Sequence, residues 1–258
     1  MRPTLTLIRR EFTAFFLSPI AYVVLVALLV VMGGLFGIVD TGALTQLTAR
    51  GPQGVEYPMQ SLTGSWVFWF MFLVIPPLLT MRLLAEERGS GTLELLLTAP
   101  IRDWQVVLAK FIACYLFYVV LWIPTLVYLP VLVNFDWATR TTGIDPYPVL
   151  TSYIGLLAAG AMFLALGMFV SSLVKSQMVA ALISILLSLI FVAAGFFRPE
   201  ADSGELKYRL LYFFSVPLHF TRDFSRGQID SRAIILYVSV ALFCLFLTVR
   251  SLESRRWR

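Results

Sequence analysis

The sequence predicts an all-α membrane protein with six transmembrane helices, and three observations carry that prediction. The composition is too apolar for a water-soluble surface. Of 258 residues, 59% are hydrophobic and 14% charged, with a mean hydropathy of +0.84, whereas soluble domains carry about 25% charged residues. Six apolar runs approach or exceed the ~20 residues that a helix needs to cross a hydrocarbon core. The basic residues also divide between alternate connections, as membrane topology requires.

In chain order, Pro3–Phe16 reads as an amphipathic helix. Leu5, Ile8, Phe12 and Phe15 recur at helical spacing, and Arg9, Arg10 and Thr13 lie away from them. A basic, aromatic helix of this kind lies along the inner leaflet. Ser18-Pro19 breaks it from the first span, about Ile20–Val39. The second span, about Gly64–Met81, is rich in Trp and Phe. Its Trp66, Phe68, Trp69, Phe70 and Phe72 fit an apolar substrate path or simple packing against lipid and neighbouring helices. The third, about Val106–Val133, is long enough to tilt or to include an interfacial turn, with Pro124 as a kink. The fourth, about Val149–Val174, and the fifth, about Met178–Phe197, are separated only by Lys175, Ser176 and Gln177 and form a tight hairpin. The sixth is about Ala233–Val249.

Six spans put both termini on one side. That side collects twelve basic and six acidic residues, and the other collects eight and nine. The basic excess marks the cytoplasmic side, so both termini are expected inside. No leading segment reads as a cleaved signal peptide, because Arg2, Arg9, Arg10 and Glu11 precede the first apolar run. Net charge is +5, and its placement beside apolar spans fits topology rather than nucleic-acid binding.

On the outer side, Asp40–Thr63 and Asn134–Pro148 read as polar loops. Arg198–Arg232 differs. It contains Tyr208–Leu218, an apolar and aromatic stretch too short to span, with Tyr212, Phe213 and Pro217 at its centre. It fits an interfacial or re-entrant helical pair, or else a hydrophobic lid on the helix ends. Gly33-x-x-x-Gly37, Gly155-x-x-x-Ala159 and Ala161-x-x-x-Ala165 allow close helix approach and are weak signals for a dimer.

The segment between the second and third spans carries the most information. Arg82, Glu86, Glu87, Arg88 and Glu94 supply five charges, and Gly89 and Gly91 loosen the backbone. Thr92 caps a short helix over Thr92–Thr98, Glu94 suits its positive end, and Pro100 stops it. Leu93, Leu96 and Leu97 form an apolar stripe. A short helix lying between two spans can push on both, as a mechanical coupling element must.

Few residues suggest chemistry. The one histidine, His219, lies near Arg222 and Asp223 and reads as a surface or hydrogen-bonding residue. Cys114 and Cys244 sit in apolar runs and read as small core residues. Neither a metal-ligand cluster nor a nucleophile–base pair is evident. Lys110 lies one or two turns into the third span. It is expected to snorkel to the headgroups, with pairing to Glu86, Glu87 or Glu94 as the alternative. No charge lies near the centre of a span, which disfavours an ion-coupled secondary transporter.

The stretch Glu86–Pro100, Glu-Glu-Arg-x-x-Gly-Thr-Leu-Glu-Leu-Leu-Leu-Thr-x-Pro, resembles the signature between the second and third spans of ABC-2 type exporter permeases. Within that family, Ser18-Pro19-Ile20, Gly91–Pro100 and Phe224–Arg232 look closest to the gliding-motility type. The resemblance implies a single transmembrane permease domain over 1–258. Its parts would be a connecting helix in 1–18 with Arg9, Arg10 and Phe12, spans 1–5 over 20–197, an external segment over 198–232, and the last span with a basic tail over 233–258. It implies a coupling helix at Thr92–Thr98, with Glu86, Glu87, Arg88, Gly91, Thr92, Leu93, Glu94, Leu96, Leu97 and Pro100 facing an ATPase. It further implies alternating access in a bacterial inner membrane, with two cytoplasmic ATPase subunits and a second copy or a related permease. An accessory periplasmic or membrane subunit is implied by the closest subfamily. No GxxxxGK[ST] motif is present, so ATP and Mg are expected on the partner ATPase, and no cofactor or catalysis on this chain. The remaining alternatives are a structural membrane subunit of a larger complex and a secondary transporter.

Overall fold

Every element described in the computed structural model is a helix; the description covers residues 2–38, 58–91, 102–127, 146–195 and 212–256. α1 (Arg2–Leu17) and α2 (Pro19–Ile38) meet at Ser18 with a bend of 68°. α3 (Pro58–Gly64) leads through Ser65 into α4 (Trp66–Thr80), and α5 (Ala85–Gly89) follows. α6 (Asp103–Trp122) tightens into a 3₁₀ turn over Ile123–Val127, at Pro124. α7 (Pro146–Leu173) and α8 (Gln177–Ala193) form the expected hairpin. α9 (Val216–Arg222), a 3₁₀ turn over Phe224–Arg226 and α10 (Ser231–Arg256) complete the chain. Proline opens α2, α3 and α7, where its missing N–H costs nothing and its fixed φ suits the first turn.

α7 is the central helix. It packs on α4, α6, α8 and α10, and Phe163, Leu164, Ala165 and Met168 are almost wholly buried. Its glycines permit these contacts. A Cβ on Gly160 would run into the Tyr118 ring of α6, and one on Gly167 into the Thr80 hydroxyl of α4. A Cβ on Gly155 would lie 2.8 Å from the Phe224 ring. Ala159 and Ala165 are fully buried as well. The small residues of the fourth apolar run therefore serve packing within this chain.

α2, α8 and α10 carry apolar side chains that face outward. Val23 and Val30, Leu182, Leu186 and Ile190, and Leu242 and Phe243 are all exposed. Apolar surface on this scale does not face water. Three helical stretches, Asp103–Val127, Tyr147–Leu173 and Ser231–Ser254, are long and apolar enough to cross a membrane, and the bent α1–α2 pair is a fourth candidate. α4 and α8, with 15 and 17 residues, reach only about 22–26 Å at 1.5 Å per residue. The chain is a membrane protein.

Two expectations need correction here. α3 stands where a polar loop over Asp40–Thr63 was expected. Met59 and Leu62 bury its inner side, and the Thr63 carbonyl accepts a 2.6 Å hydrogen bond from the Trp69 indole. The expected stripe of α1 holds at Ile8, Phe12 and Phe15, which pack against buried residues, but not at its start: Leu5 is 69% exposed, whereas Leu7 is 7%. The aromatic residues of α4 divide, with Phe68, Trp69 and Phe72 in the core and Trp66 and Phe70 outside.

Candidate functional site

The charged end of the bundle is organised by α1 lying along α6. Leu7 meets Val106 and Ala109, Glu11 meets Lys110, and Phe15 stacks on Phe117 with ring centroids 5.0 Å apart. The contacts advance in the same direction along both helices. α1 thereby covers the side of α6 from which Lys110 projects. This overturns the snorkelling expectation: Lys110 is 1% exposed, and its Nζ donates to Glu87 Oε1 at 2.7 Å and to Glu11 Oε2 at 3.3 Å. A buried ammonium is tolerable only with such partners. Arg10 donates to Glu11 Oε1 at 2.8 Å, so charges alternate along Arg10, Glu11, Lys110 and Glu87. Burial raises the Glu11 pKa, but Lys110 and Arg10 outweigh it and hold the carboxyl below its ordinary value.

The turn after α4 is pinned from a second direction. Ser171 of α7 accepts from the backbone N–H of Leu84 at 3.2 Å and of Ala85 at 3.0 Å. These are donors that the start of α5 would otherwise leave unsatisfied. Arg82 pairs with Glu86 at 2.9 Å and donates to the Ser18 hydroxyl at 2.6 Å. Arg88 donates to the Ser172 carbonyl. Gly89 closes α5 against the α7–α8 hairpin, where a Cβ would sit 3.1 Å from the Lys175 carbonyl. Gly91 then takes φ 74, a conformation that glycine adopts without strain. One short segment thus touches α1 through Lys110, the α1–α2 bend through Arg82, and the α7–α8 hairpin through Arg88. A cavity of about 300 Å³ lies among α1, α2, α4, α5 and α6, with Arg82, Glu86, Glu87 and Lys110 on its wall.

Of the expected coupling residues, Glu86, Glu87, Arg88 and Gly91 gather here. Thr92, Leu93, Glu94, Leu96, Leu97 and Pro100 lie outside the described residues. On the expected connecting helix, Arg9 is exposed and Phe12 half-buried. Phe12 packs against the core and meets Phe16 edge to face. The residues missed in the sequence are Glu11, Ser18 and Ser171. Glu11 left a misleading signal, since an acid beside Arg9 and Arg10 reads as part of a solvated face. Ser171 left none.

At the opposite end, the segment before α10 is inserted among the helices. Val216, Phe220 and Phe224 are fully buried. Ser215 caps α9 by accepting from Leu218 N at 3.3 Å, and Pro217 lies against Gly195 at the end of α8. Thr151 donates to the Phe224 carbonyl at 2.6 Å. Tyr212 donates to Asp223 Oδ2 at 2.7 Å, and Arg222 lies 5.6 Å from the Tyr212 ring centroid. Burial and then the Asp223 carboxylate raise the Tyr212 hydroxyl above its ordinary range. Phe213 stays 44% exposed. His219 is buried and shares a 2.9 Å hydrogen bond with the Tyr237 hydroxyl. Burial lowers the His219 pKa against the raising pull of Asp223 and Asp230, which favours a neutral imidazole in a structural role. Cys114 and Cys244 are buried thiols. Among the described residues no cluster could hold a metal ion.

A search among curated proteins returned no match. Residues 45–218, about two thirds of the chain, match the family model described as ABC-2 family transporter protein. The matched region contains the pinned turn, Lys110 with its partner Glu87, the central helix and the start of the inserted segment. The chain therefore belongs to the ABC-2 family of transporter proteins.

Proposed function

We propose that this chain is the transmembrane permease subunit of an ATP-driven exporter, with six spans and both termini in the cytoplasm. α2, α4, α6, α7, α8 and α10 are the spans. α4 is extended on the outer side by α3, and α8 is extended on the same side by the turn that meets α9. A pair of cytoplasmic ATPase subunits binds the charged end, with residues 92–98 as the part they grip. A second copy or a related permease completes the pathway, through which substrate moves outward by alternating access.

One observation supports this reading best. The segment that leads into residues 92–98 is tied to α1 and α6 through Lys110 and to the α7–α8 hairpin through Arg88. A push on it is therefore delivered to several helices at once. A connector with no mechanical task needs no buried lysine shared between two carboxylates.

The test is Glu94→Lys in the permease co-expressed with its ATPase and reconstituted in vesicles. Insertion should be unchanged, while stimulation of ATP hydrolysis by the permease should fall to the level of the ATPase alone. Full stimulation in the variant would contradict the coupling assignment.

A further inference from the structure

We propose that the cavity at the charged end binds a zwitterionic phospholipid with a primary-amine headgroup. The proposal does not rest on the exporter reading. The cavity measures about 300 Å³, within the range of small-molecule sites, and its lining is divided. Phe15, Ile20, Ala21, Leu78 and Leu79 form an apolar wall, and Arg82, Glu86, Glu87 and Lys110 form a charged one. A polar metabolite would leave the first wall unused, and a bare acyl chain would leave the second unsatisfied.

The charges select the headgroup. Glu11, Glu86 and Glu87 stand against Arg82 and Lys110 on the wall and Arg10 behind Glu11, a balanced set that a zwitterion preserves and a purely anionic headgroup would leave with excess negative charge. The two cations also differ in availability. Lys110 is buried between Glu11 and Glu87, and releasing it would strand charge in a low dielectric. The Arg82 and Glu86 side chains are 36% and 44% exposed, and an ion pair so open to solvent is held weakly. A phosphate can take the planar donor fork of Arg82 in two parallel hydrogen bonds. The released Glu86 carboxylate, next to Glu87, then accepts from an ammonium with three donors. A zwitterion whose two charges are joined by a short linker makes both exchanges together. The source is the bilayer, because Tyr22 and Val23, which follow the lining residue Ala21, are exposed and apolar, so the acyl chains leave along lipid-facing surface.

The experiment uses the full-length protein in a non-ionic detergent with equal amounts of dioleoyl-phosphatidylethanolamine, -phosphatidylcholine and -phosphatidylglycerol. Retained lipid is counted by native mass spectrometry. Phosphatidylethanolamine should exceed each of the others by about tenfold, the worth of one charge-assisted hydrogen bond. Ala21→Trp, which fills the cavity, should bring all three to one level. Glu86→Gln should lower the ethanolamine-to-choline ratio. Each ratio is taken within one sample, so loss of folded protein scales all three lipids together and leaves the ratios unchanged. Equal retention of phosphatidylglycerol by the native protein would overturn the proposal, as would unchanged ratios in both variants. Displacement of the lipid by free phosphoethanolamine would overturn the assignment to a lipid.

Discussion

A lysine two turns into an apolar helix can keep its charge by reaching water or by acquiring carboxylates. Lys110 takes the second course. The periodicity of its own helix could not reveal this, because the covering element is α1, about a hundred residues earlier in the chain. Glu87 was legible as a candidate partner, but Glu11 was not, since an acid beside Arg9 and Arg10 reads as part of a solvated face. Lys110→Met leaves two carboxylates facing each other and should destabilise the protein by about 3 kcal/mol, measured as a fall in the thermal unfolding midpoint in detergent. Adding Glu11→Gln and Glu87→Gln should recover much of the loss, and a single variant as stable as the native protein would remove the junction from this account. Acid acts at the same point. The Glu11 pKa is lowered by folding, so its contribution is full above its ordinary value of 4.5 and is lost as pH falls through the lowered value. Protection of α1 against proteolysis should weaken in that acid window, and should not in Glu11→Gln.

Among the elements, the long apolar helices follow from composition and period alone, and Pro124 and the Ser18-Pro19 break are legible because proline acts locally. What was not legible depends on other elements. α3 is a helix because Met59 and Leu62 find a buried surface, and its seven residues carry no period of their own. The face of α1 is widened by its partner: Glu11 meets Lys110, so Leu7 joins Ile8, Phe12 and Phe15 against the bundle and Leu5 is left out. Two predictions belong at this scale. Removing residues 1–16 should abolish stable ATPase association if α1 is part of the docking surface, and stoichiometric association without it would leave α1 as a brace for α6 alone. Gly167→Ala places a methyl against Thr80 and should cost about 1–3 kcal/mol by overpacking, read as a lower unfolding midpoint. The same change at Gly34, where a Cβ meets nothing within 4 Å, should leave the midpoint unchanged.

At the scale of the whole molecule, the bundle separates two kinds of chemistry. One end is a lattice of charges joining α1, α5, α6 and the α7–α8 hairpin. The other is an aromatic plug, with Trp69, Phe220 and Phe224 packed together and His219 bound to Tyr237. The central helix, α7, runs between them and is bonded to both, through Ser171 at the charged end and Thr151 at the plug, so displacement at the charged end has a direct mechanical route to the plug. The division of basic residues predicts which end faces the cytoplasm: Ser90→Cys should react with an impermeant maleimide only after the membrane is opened. Labelling in intact cells would reverse the topology. The central claim is that the charged end is the seat of a separate ATPase, and the most direct measurement is to purify the tagged protein from its native membrane in mild detergent and identify its companions. The account predicts an ATPase with a Walker A sequence at near-equal stoichiometry, lost when residues 92–98 are replaced by a flexible linker. A preparation without such an ATPase, across several detergents, would contradict it.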